Sequence, residues 1–550
     1  MRVRRRLSGW LAFAATVALA LTGMAGMAGS AMAEEPAERC SGANIEGQGS
    51  SLQGVAMEVW GTHFNSSEFA GACNGTQGSK GKPTLKYTSS GSGEGRLVWG
   101  AEKKGNKPLA GLKESPEESG DAFVGTDEPL SAEQMESVDE AAGAGVKGKG
   151  QALVIPVEQA AVAVIVNPPA ECLISKITNK NLQEIWSGVI SEWSEVTGGS
   201  PEAGVTEDKS GACKVSITRV AREDVSGTTF VFKTYLNEVL KGAATCSGKT
   251  WAEYLTVAEN TKWPEPGVGT CKGLKVVFPA AKGGKEEVEK VKKEADSIGY
   301  ANLADARKGY TEDGGSYHWL GVQNESKEKF YPFPGTSAGE PSLETGESHC
   351  EKTHYENLPA KAEADANWSK VNGAHPKGNE NYPICTLTYD VALVNYELAQ
   401  FTTPNSVATT AYDFLNHVVA KEGGQTDIVS HDYRQVEEAV GKLAKEEAQL
   451  IGGGTIVKEL SSAGTEIELE AFGGVNVKLD FLFENVGPGV WKPTMVLVPK
   501  GGAFNIVVDE CTGKMIAVGA TCLVEVESLV ASKLEWLTDA KLLTPIHLED

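Results

Sequence analysis

The chain has 550 residues, too many for one compact domain, and we expect roughly two to four domains. Its formal net charge is −23, and removing residues 1–33, which hold four arginines and no acids, leaves −27. This charge excludes binding to nucleic acid or to an anionic membrane through the general field of the protein. A small anion site stays possible, because distant surface charges are screened over about 8 Å at physiological salt.

The first residues have the pattern of a secretion signal. A run of arginines precedes a short apolar core at 10–21, and Ala31-Met32-Ala33 is a small-residue cleavage site. The apolar core is too short to span a membrane comfortably, and no cysteine stands where a lipid anchor would need one. We therefore predict a signal peptide at 1–33 and a mature protein that is secreted, periplasmic or associated with the cell surface.

Ten cysteines in an exported chain indicate disulfides. Sequence alone leaves the connectivity open, and we predict that sequential neighbours pair. The predicted pairs are Cys40 with Cys73, Cys172 with Cys213, Cys246 with Cys271, Cys350 with Cys385, and Cys511 with Cys522. Neither a C-x-x-C motif nor a paired-histidine spacing is present, so we expect no metal ion and no cofactor.

Three stretches combine a strand pattern, a turn of small residues and a helical pattern. The turns lie at 47–51, 89–95 and 226–229. A helix start leaves backbone N–H groups unpaired and carries partial positive charge, and small residues let an anion approach. We take Ser51 as the N-cap of the first helix and place the start of the third near Thr228. For any one turn taken alone, an ordinary helix cap explains the pattern as well.

Two charged residues near these turns indicate which kind of ligand the turns would bind. Arg222, just before the third turn, offers a fork that suits a carboxylate, phosphate or sulfate. Asp127, at a strand end, would be an acceptor among donors, which makes sense only for a ligand that carries a proton. Hydrogen phosphate carries one and sulfate does not, so Asp127 would bind phosphate and reject sulfate. A turn acid that caps its own backbone is the simpler interpretation of any single Asp.

The remaining chain predicts two lobes followed by a different module. A β-rich run at 154–166 would cross into the second lobe, the helix at 286–293 would present a solvated face, and 310–380 would be an elaborated surface segment. Strands near 385–394 and helices near 405–421 and 433–449 would complete the first lobe. Beyond a glycine linker, short strand patterns predict a small β-sandwich. They lie at 466–471, 475–483, 495–498, 504–509, 523–526 and 541–547.

Five motifs resemble those of a known family, both in their residues and in their order along the chain. They are GQGSSLQGV at 47–55, YTSSGSGEG at 87–95, FVGTDEPLS at 123–131, AREDVSGTTFVF at 221–232 and SIGYANL at 297–303. Over residues 45–300, and less closely to about 450, the chain resembles the phosphate-binding subunit of the phosphate ABC importer, a class II periplasmic binding protein. The segment 504–526 is similar to immunoglobulin-like choice-of-anchor modules.

The resemblance implies an α/β fold of two lobes that close over a dehydrated phosphate, followed by a small all-β immunoglobulin-like sandwich. The implied domains are lobe I at 34–155 and 386–451, lobe II at 156–385, and the β-module at 455–550. The implied phosphate ligands are Ser51, Leu52 through its backbone, Ser92, Asp127, Arg222, Ser226, Gly227 and Thr228. Asp224 would hold Arg222 in place.

The implied function is capture of inorganic phosphate outside the cytoplasm and its delivery to the permease of an ABC importer, without catalysis. We expect a monomer without a nucleic-acid partner, and a cell-wall or surface component as a candidate partner of the β-module. A surface phosphate sensor or adhesin and a phosphatase remain alternatives. Against the phosphatase, the serines lack a local base. We interpret His63, His318 and His354 as surface or core residues.

Overall fold

The structure of the chain is a computed structural model. It describes residues 42–66, 83–101, 120–142, 151–197, 204–265, 267–271, 275–279, 282–313, 317–324, 329–331, 350, 353–374, 382–396, 401, 403–452, 457–459, 467–468, 477–485, 495–497, 504–517, 520–528, 533–534 and 547–549. The predicted signal peptide at 1–33 and most of the linker glycines lie outside the described residues. So do parts of the predicted strands at 466–471 and 541–547.

In the described part of the chain, eleven strands form one continuous sheet. They are β1 (Ile45–Gly49), β2 (Leu85–Thr88), β3 (Asp121–Thr126), β4 (Ala152–Asn167), β6 (Lys176–Ile177), β8 (Thr218–Val220), β9 (Lys275–Val277), β10 (Ser297–Asn302), β11 (His318–Asn324), β12 (Lys329–Tyr331) and β13 (Cys385–Leu393). The order along the main path is β2-β1-β3-β13-β4-β10-β8-β9, and β11 joins β4 to β6 and β12. A separate pair is formed by β5 (Cys172–Ile174) and β7 (Val205–Asp208).

The long strand β4 connects the two halves of this sheet. Its sequence, ALVIPVEQAAVAVIVN, is buried at every position but the last, as expected for a strand covered on both faces. Residues 152–161 pair with β13, and residues 162–167 pair with β10. Pro156 does not break the strand, because the ladder to β13 shifts register beside it. We call the part built on β1, β2, β3 and β13 lobe I, and the part built on β8 to β11 lobe II.

Helices cover both lobes. In lobe I they are α1 (Gly54–Asn65), α2 (Ser92–Val98), α3 (Ala132–Ala141), α8 (Pro404–Val419), α9 (Gly424–Asp427) and α10 (Glu438–Ala448). In lobe II they are α4 (Asn179–Ser187), α5 (Gly227–Val239), α6 (Gly284–Lys293) and α7 (Leu303–Asp313). Short 3-10 turns lie at Trp193–Glu195, Ala252–Leu255, Val257–Glu259 and Val429–His431. This is a mixed α/β fold of two lobes.

Each lobe has its own group of packed aromatic rings. In lobe I the ring of Phe414 lies 5.5 Å from those of Phe64 and Phe123, centroid to centroid. In lobe II the rings of Phe232 and Tyr300 stack at 4.6 Å. Aromatic side chains contribute large buried areas and preferred geometries, and these two groups of rings belong to one hydrophobic core that spans both lobes.

Three local expectations need correction. The first helix begins at Gly54 with Gln53 as its cap, so Ser51 is not its N-cap. The helix α6 is not simply a solvated face, because Glu287 has no exposed surface. The segment 310–380 contributes to the core through the buried Leu320 of β11 and the buried Trp368, in addition to its polar surface.

The described C-terminal strands form small antiparallel sheets. Their bounds are β14 (Val457–Glu459), β15 (Ile467–Glu468), β16 (Val477–Asn485), β17 (Met495–Leu497), β18 (Phe504–Asp509), β19 (Thr521–Ser528), β20 (Lys533–Leu534) and β21 (His547–Glu549). One sheet has four strands in the order β14-β16-β19-β18, and two have two strands each, β15-β20 and β17-β21. The immunoglobulin-like identity of this part stays a prediction.

Among the described residues, four disulfides join sequential neighbours, as we expected from the cysteine order. They are Cys172–Cys213, Cys246–Cys271, Cys350–Cys385 and Cys511–Cys522. Such bridges persist in oxidising compartments, which fits a protein outside the cytoplasm.

The fifth predicted bridge has a different outcome. Both of its cysteines, Cys40 and Cys73, lie outside the described residues. The disulfide between Cys40 and Cys73 therefore stays a prediction from cysteine order alone.

Among the residues that the structure describes, no helix has the length and apolar character needed to cross a bilayer.

Candidate functional site

The site lies where parallel strands of both lobes end. In lobe I, β1 runs parallel to β2 and to β3, so their carboxyl ends share one edge of the sheet. In lobe II, β8 runs parallel to β9 and β10. Ligands of open α/β sheets bind at this edge. The predicted site residues follow these strand ends, and the structure brings them together across the contact between the lobes.

Asp127 follows β3 directly and is 2% exposed. One carboxylate oxygen accepts a short hydrogen bond from the Ser50 hydroxyl. The other accepts from the Thr228 hydroxyl of lobe II at 3.2 Å. The backbone N–H of Asp127 donates to Ser92 Oγ, also at 3.2 Å. Asp127 is therefore held by its own lobe and contacted by the opposite one.

The surroundings of Asp127 leave the pKa of its carboxyl raised, because burial outweighs the opposing groups. Burial raises the pKa of this carboxyl, whereas the hydroxyls of Ser50 and Thr228 and the charges of Arg222 and Arg96 lower it. Each carboxylate oxygen still has a second lone pair that can accept a proton from a ligand. A buried acceptor with two hydroxyl donors and two nearby guanidinium groups fits a ligand that brings both negative charge and a proton.

Arg222 is the principal cation of the site and is 1% exposed. Its Nε donates to Asp224 Oδ1 at 2.7 Å, and its Nη2 makes a short ion pair with the other oxygen of Asp224. This paired geometry fixes the plane of the guanidinium. Its Nη1 then reaches across the cleft to Ser51 Oγ at 3.1 Å. Asp224 thus holds Arg222 through these two contacts.

Ser51 is the lobe I residue on which two lobe II donors converge. Its hydroxyl oxygen accepts from Arg222 Nη1 and from the backbone N–H of Gly284 at 3.2 Å. A hydroxyl that accepts two hydrogen bonds has its O–H group left to donate. The Ser51 oxygen is therefore occupied and does not cap α1. Ser50 Oγ instead accepts from the N–H of Gln53 at 3.2 Å.

The start of α6 at Gly284 also lies at the site, and the sequence analysis did not predict it there. The preceding Gly283 has φ +106°, a region open mainly to glycine. Its α-carbon faces Ser51, whose Cβ would lie 3.7 Å from an added methyl. The Gly283-Gly284 pair before a helical pattern was a readable signal, but the charged residues after it indicated a solvated face.

The backbone of Leu52 is fixed from two directions. Its carbonyl oxygen accepts from Asn302 Nδ2 and from the Tyr433 hydroxyl, each at 2.7 Å. Asn302 also donates to the Tyr433 hydroxyl at 2.6 Å. Asn302 ends β10, so lobe II positions this turn of lobe I. Neither Asn302 nor Tyr433 was predicted, because both lie far from Leu52 in sequence.

The turn before α5 is braced by buried side chains. Ser226 Oγ caps α5 by accepting from the N–H of Thr229 at 3.3 Å. Asn260 clamps Ser226, accepting from its N–H at 2.9 Å and donating to its carbonyl at 3.0 Å. Lys233 Nζ donates to the carbonyls of Asn260 at 2.6 Å and Lys262 at 2.7 Å. This network holds the amino end of α5 towards lobe I.

Gly227 brings the amino end of α5 against lobe I without a side chain. A methyl group there would lie 2.5 Å from Ser92 Oγ and 2.7 Å from Asp127 Cβ, closer than real Cβ atoms approach other atoms. Nearby, the N–H of Gly93 donates to the carbonyl of Val225 across the lobes at 3.0 Å. Small residues therefore allow the two backbones to meet.

Further buried acids surround the site and were not predicted. Burial raises the pKa of Glu287 well above its ordinary value, against the charge of Arg222. Burial likewise raises the pKa of Asp305 to about 7, and Arg222 again opposes the rise. On the central strands, burial raises the pKa of Glu158 and Asp390 well above the usual range. In each of these acids burial disfavours the charged form.

Solved structures with a related fold include two phosphate-binding proteins. A phosphate-binding protein from Stenotrophomonas maltophilia is 18% identical, with a TM-score of 0.47, covering 73% of this chain and 93% of its own. A human phosphate-binding apolipoprotein is 15% identical, with a TM-score of 0.44, covering 72% and 93%.

The family is shown by a match over more than half of the chain. No curated protein sequence matches the chain. A family model described as a PBP superfamily domain matches residues 34–349. The chain belongs to the PBP superfamily.

Proposed function

We propose that the chain binds one inorganic phosphate ion between its two lobes, outside the cytoplasm. The observation that carries the proposal is the buried carboxylate of Asp127, which accepts hydrogen bonds from both lobes beside the guanidinium of Arg222. Donors alone would suit any small oxyanion. An acceptor among them suits an oxyanion that carries a proton.

The donors come from separate parts of the chain. Arg222 contributes its Nη1 group, Ser51 and Ser92 contribute hydroxyls, and the amino end of α5 contributes N–H groups at Gly227 and Thr228. Backbone N–H groups at a helix start and an arginine fork are the groups that bind phosphate in proteins. Leu52 would contribute its own N–H, since its carbonyl is already held by two donors. This set completes the proposed ligand shell.

Selectivity would come from Asp127. Sulfate has no proton at neutral pH, so its oxygen and the carboxylate would face each other with lone pairs only. Such a mismatch inside a dry cleft costs several kcal/mol, on the order of an unpaired buried charge. Hydrogen phosphate avoids this cost by donating its proton to Asp127.

Binding would be coupled to closure of the lobes. Direct contacts already cross between them, including the ion pairs Lys282–Glu94 at 2.9 Å and Arg307–Asp432 at 2.6 Å. The adjacent strands β4 and β13, with the residues before β13, are the connections about which such a hinge would turn. The hydroxyls of Ser51, Ser92 and Thr228 act in this arrangement as hydrogen-bond groups, so we favour binding over phosphate hydrolysis.

Delivery of phosphate to an importer is the second part of the proposal. A two-lobed binding protein outside the cytoplasm suits presentation of a closed, loaded form to a membrane permease. A surface sensor or adhesin is the alternative, and the β-strands beyond residue 455 favour it, because ligand capture between the lobes does not use them. Reconstituted phosphate transport with a candidate permease would separate the two.

The role of Asp127 is tested by Asp127→Asn. In calorimetry at pH 8, the unsubstituted protein should bind one phosphate per chain and sulfate at least about tenfold more weakly, a difference of about 1.4 kcal/mol. The asparagine can donate to sulfate, so the variant should bind sulfate better and phosphate worse. Because burial raises the pKa of Asp127, the sulfate affinity of the unsubstituted protein should rise as pH falls from 8 to 5, while that of the variant stays flat. Equal heats for both anions at pH 8 would remove this role for Asp127.

The role of Arg222 is tested by Arg222→Ala. Removing the guanidinium leaves a desolvated anion without its cation, which should weaken phosphate binding by about 2–5 kcal/mol. Arg222→Lys is the matched control, since it keeps the charge but loses the paired contact with Asp224, and its affinity should be intermediate. Unchanged phosphate affinity in Arg222→Ala would show that the anion binds elsewhere.

Closure is tested by Gly227→Ala. The added methyl would collide with Ser92 and Asp127 on the opposite lobe, and overpacking of this kind costs about 1–3 kcal/mol. Phosphate affinity should fall, with little change in melting temperature of the ligand-free protein. Gly61→Ala is the control, because its methyl would meet Leu85 Cδ2 at an ordinary 3.7 Å. If both variants bind phosphate as the unsubstituted chain does, close approach of the lobes is not needed.

A further inference from the structure

Three chain segments of lobe I bring metal-binding side chains to one point, away from the phosphate site. His63 lies in the last turn of α1, and His417 lies in the last turn of α8. Asp427 ends the short helix α9. Asp427 lies 364 residues from His63 in sequence, so no local sequence motif predicts the cluster. It consists of two imidazoles and one carboxylate.

The spacing of the ligand atoms suits a tetrahedral ion. His63 Nδ1 lies 2.8 Å from Asp427 Oδ2, and His417 Nε2 lies 3.3 Å from the same oxygen. All three atoms lie within 4.8 Å of one another. Metal–ligand bonds of about 2.0–2.1 Å in a tetrahedron place neighbouring ligand atoms about 3.3 Å apart. The two edges to Asp427 Oδ2, at 2.8 and 3.3 Å, lie close to this length, and the third is no longer than 4.8 Å.

The electrostatics also favour a cation here. Two helices, α1 and α8, end at the cluster, and the carboxyl end of a helix carries partial negative charge. The side chain of His417 is 9% exposed, that of Asp427 is 24% exposed and that of His63 is 34% exposed. One side of the cluster is therefore buried and the other is open to solvent. This leaves room for a water molecule as a fourth ligand.

Hydrogen bonds from neighbouring elements fix the helix α9, which carries Asp427. Trp60 Nε1 donates to the carbonyl of Gly424 at 2.7 Å, which fixes α9 against α1. Gln425 Nε2 donates to the carbonyls of Val157 at 2.6 Å and Val418 at 2.9 Å, which fixes α9 against β4 and α8. Such supports around a ligand set pre-organise it for a metal.

We propose that His63, His417 and Asp427 form a binding site for one divalent transition-metal ion of the zinc class. Imidazole nitrogens select zinc and its neighbours over magnesium and calcium, which prefer oxygen ligands. The ion would replace the hydrogen bond between His63 and Asp427 and the contact of His417 Nε2 with the same oxygen. It would join the ends of α1, α8 and α9, and α1 follows directly on the turn that holds Ser51.

The test uses the mature protein in phosphate-free buffer, with Zn²⁺ in calorimetry and Co²⁺ as a spectroscopic probe. We expect one Zn²⁺ per chain, visible Co²⁺ absorption typical of four-coordination, and a higher melting temperature with Zn²⁺. His63→Ala and Asp427→Asn should each weaken Zn²⁺ binding by at least about tenfold. Both variants should bind phosphate normally, which confirms that they are folded.

The control is His354→Ala, which removes an exposed histidine that pairs with Glu437 and should leave Zn²⁺ binding unchanged. The proposal is overturned if the unsubstituted protein does not bind Zn²⁺. It is also overturned if His63→Ala and Asp427→Asn bind Zn²⁺ as tightly as His354→Ala does. Because phosphate binding is measured separately, failure here does not affect the proposed phosphate site.

Discussion

A buried carboxylate between the lobes is the constraint on which the rest of this structure depends. Burying an ionised Asp without partners would cost several kcal/mol or more. Asp127 meets that cost with the hydroxyl of Ser50 from its own lobe and that of Thr228 from the other. The charge of Arg222 lies close enough to lower its pKa. Because these partners come from both lobes, the carboxylate is fully surrounded only when the lobes are together.

The sheet provides this meeting of the lobes. Parallel strands in each half end at one edge, so the turns after β1, β3 and β8 reach a common cleft. The strand β4 runs through both halves and changes its partner from β13 to β10 midway. The closure proposed above would therefore change the backbone mainly near this change of partner. The aromatic rings around Phe414 in lobe I and around Tyr300 in lobe II belong to one continuous hydrophobic core.

The local structure around the predicted site residues could be predicted from the sequence, and the binding role of these residues stays a prediction. Small-residue turns marked Ser92 and Ser226, a strand end marked Asp127, and neighbouring cysteines predicted the four observed bridges. The prediction for Ser51 was wrong in its local role, because Arg222 and Gly284 take its hydroxyl oxygen. Such a contact depends on tertiary structure and overrides the preference for a helix cap. Partners brought close only by folding could not be predicted at all. Asn302 and Tyr433 reach the Leu52 carbonyl from 250 and 381 residues away, and periodicity carries no information about such pairs.

The most direct measurement is a crystal structure of the mature protein grown with phosphate, at a resolution that separates Asp127 from its neighbours. We expect one tetrahedral anion between the lobes, with one oxygen in short hydrogen-bond contact with Asp127 and the others near Arg222, Ser51 and Thr228. An anion bound at another place, or an anion in the cleft with no oxygen near Asp127, would contradict it.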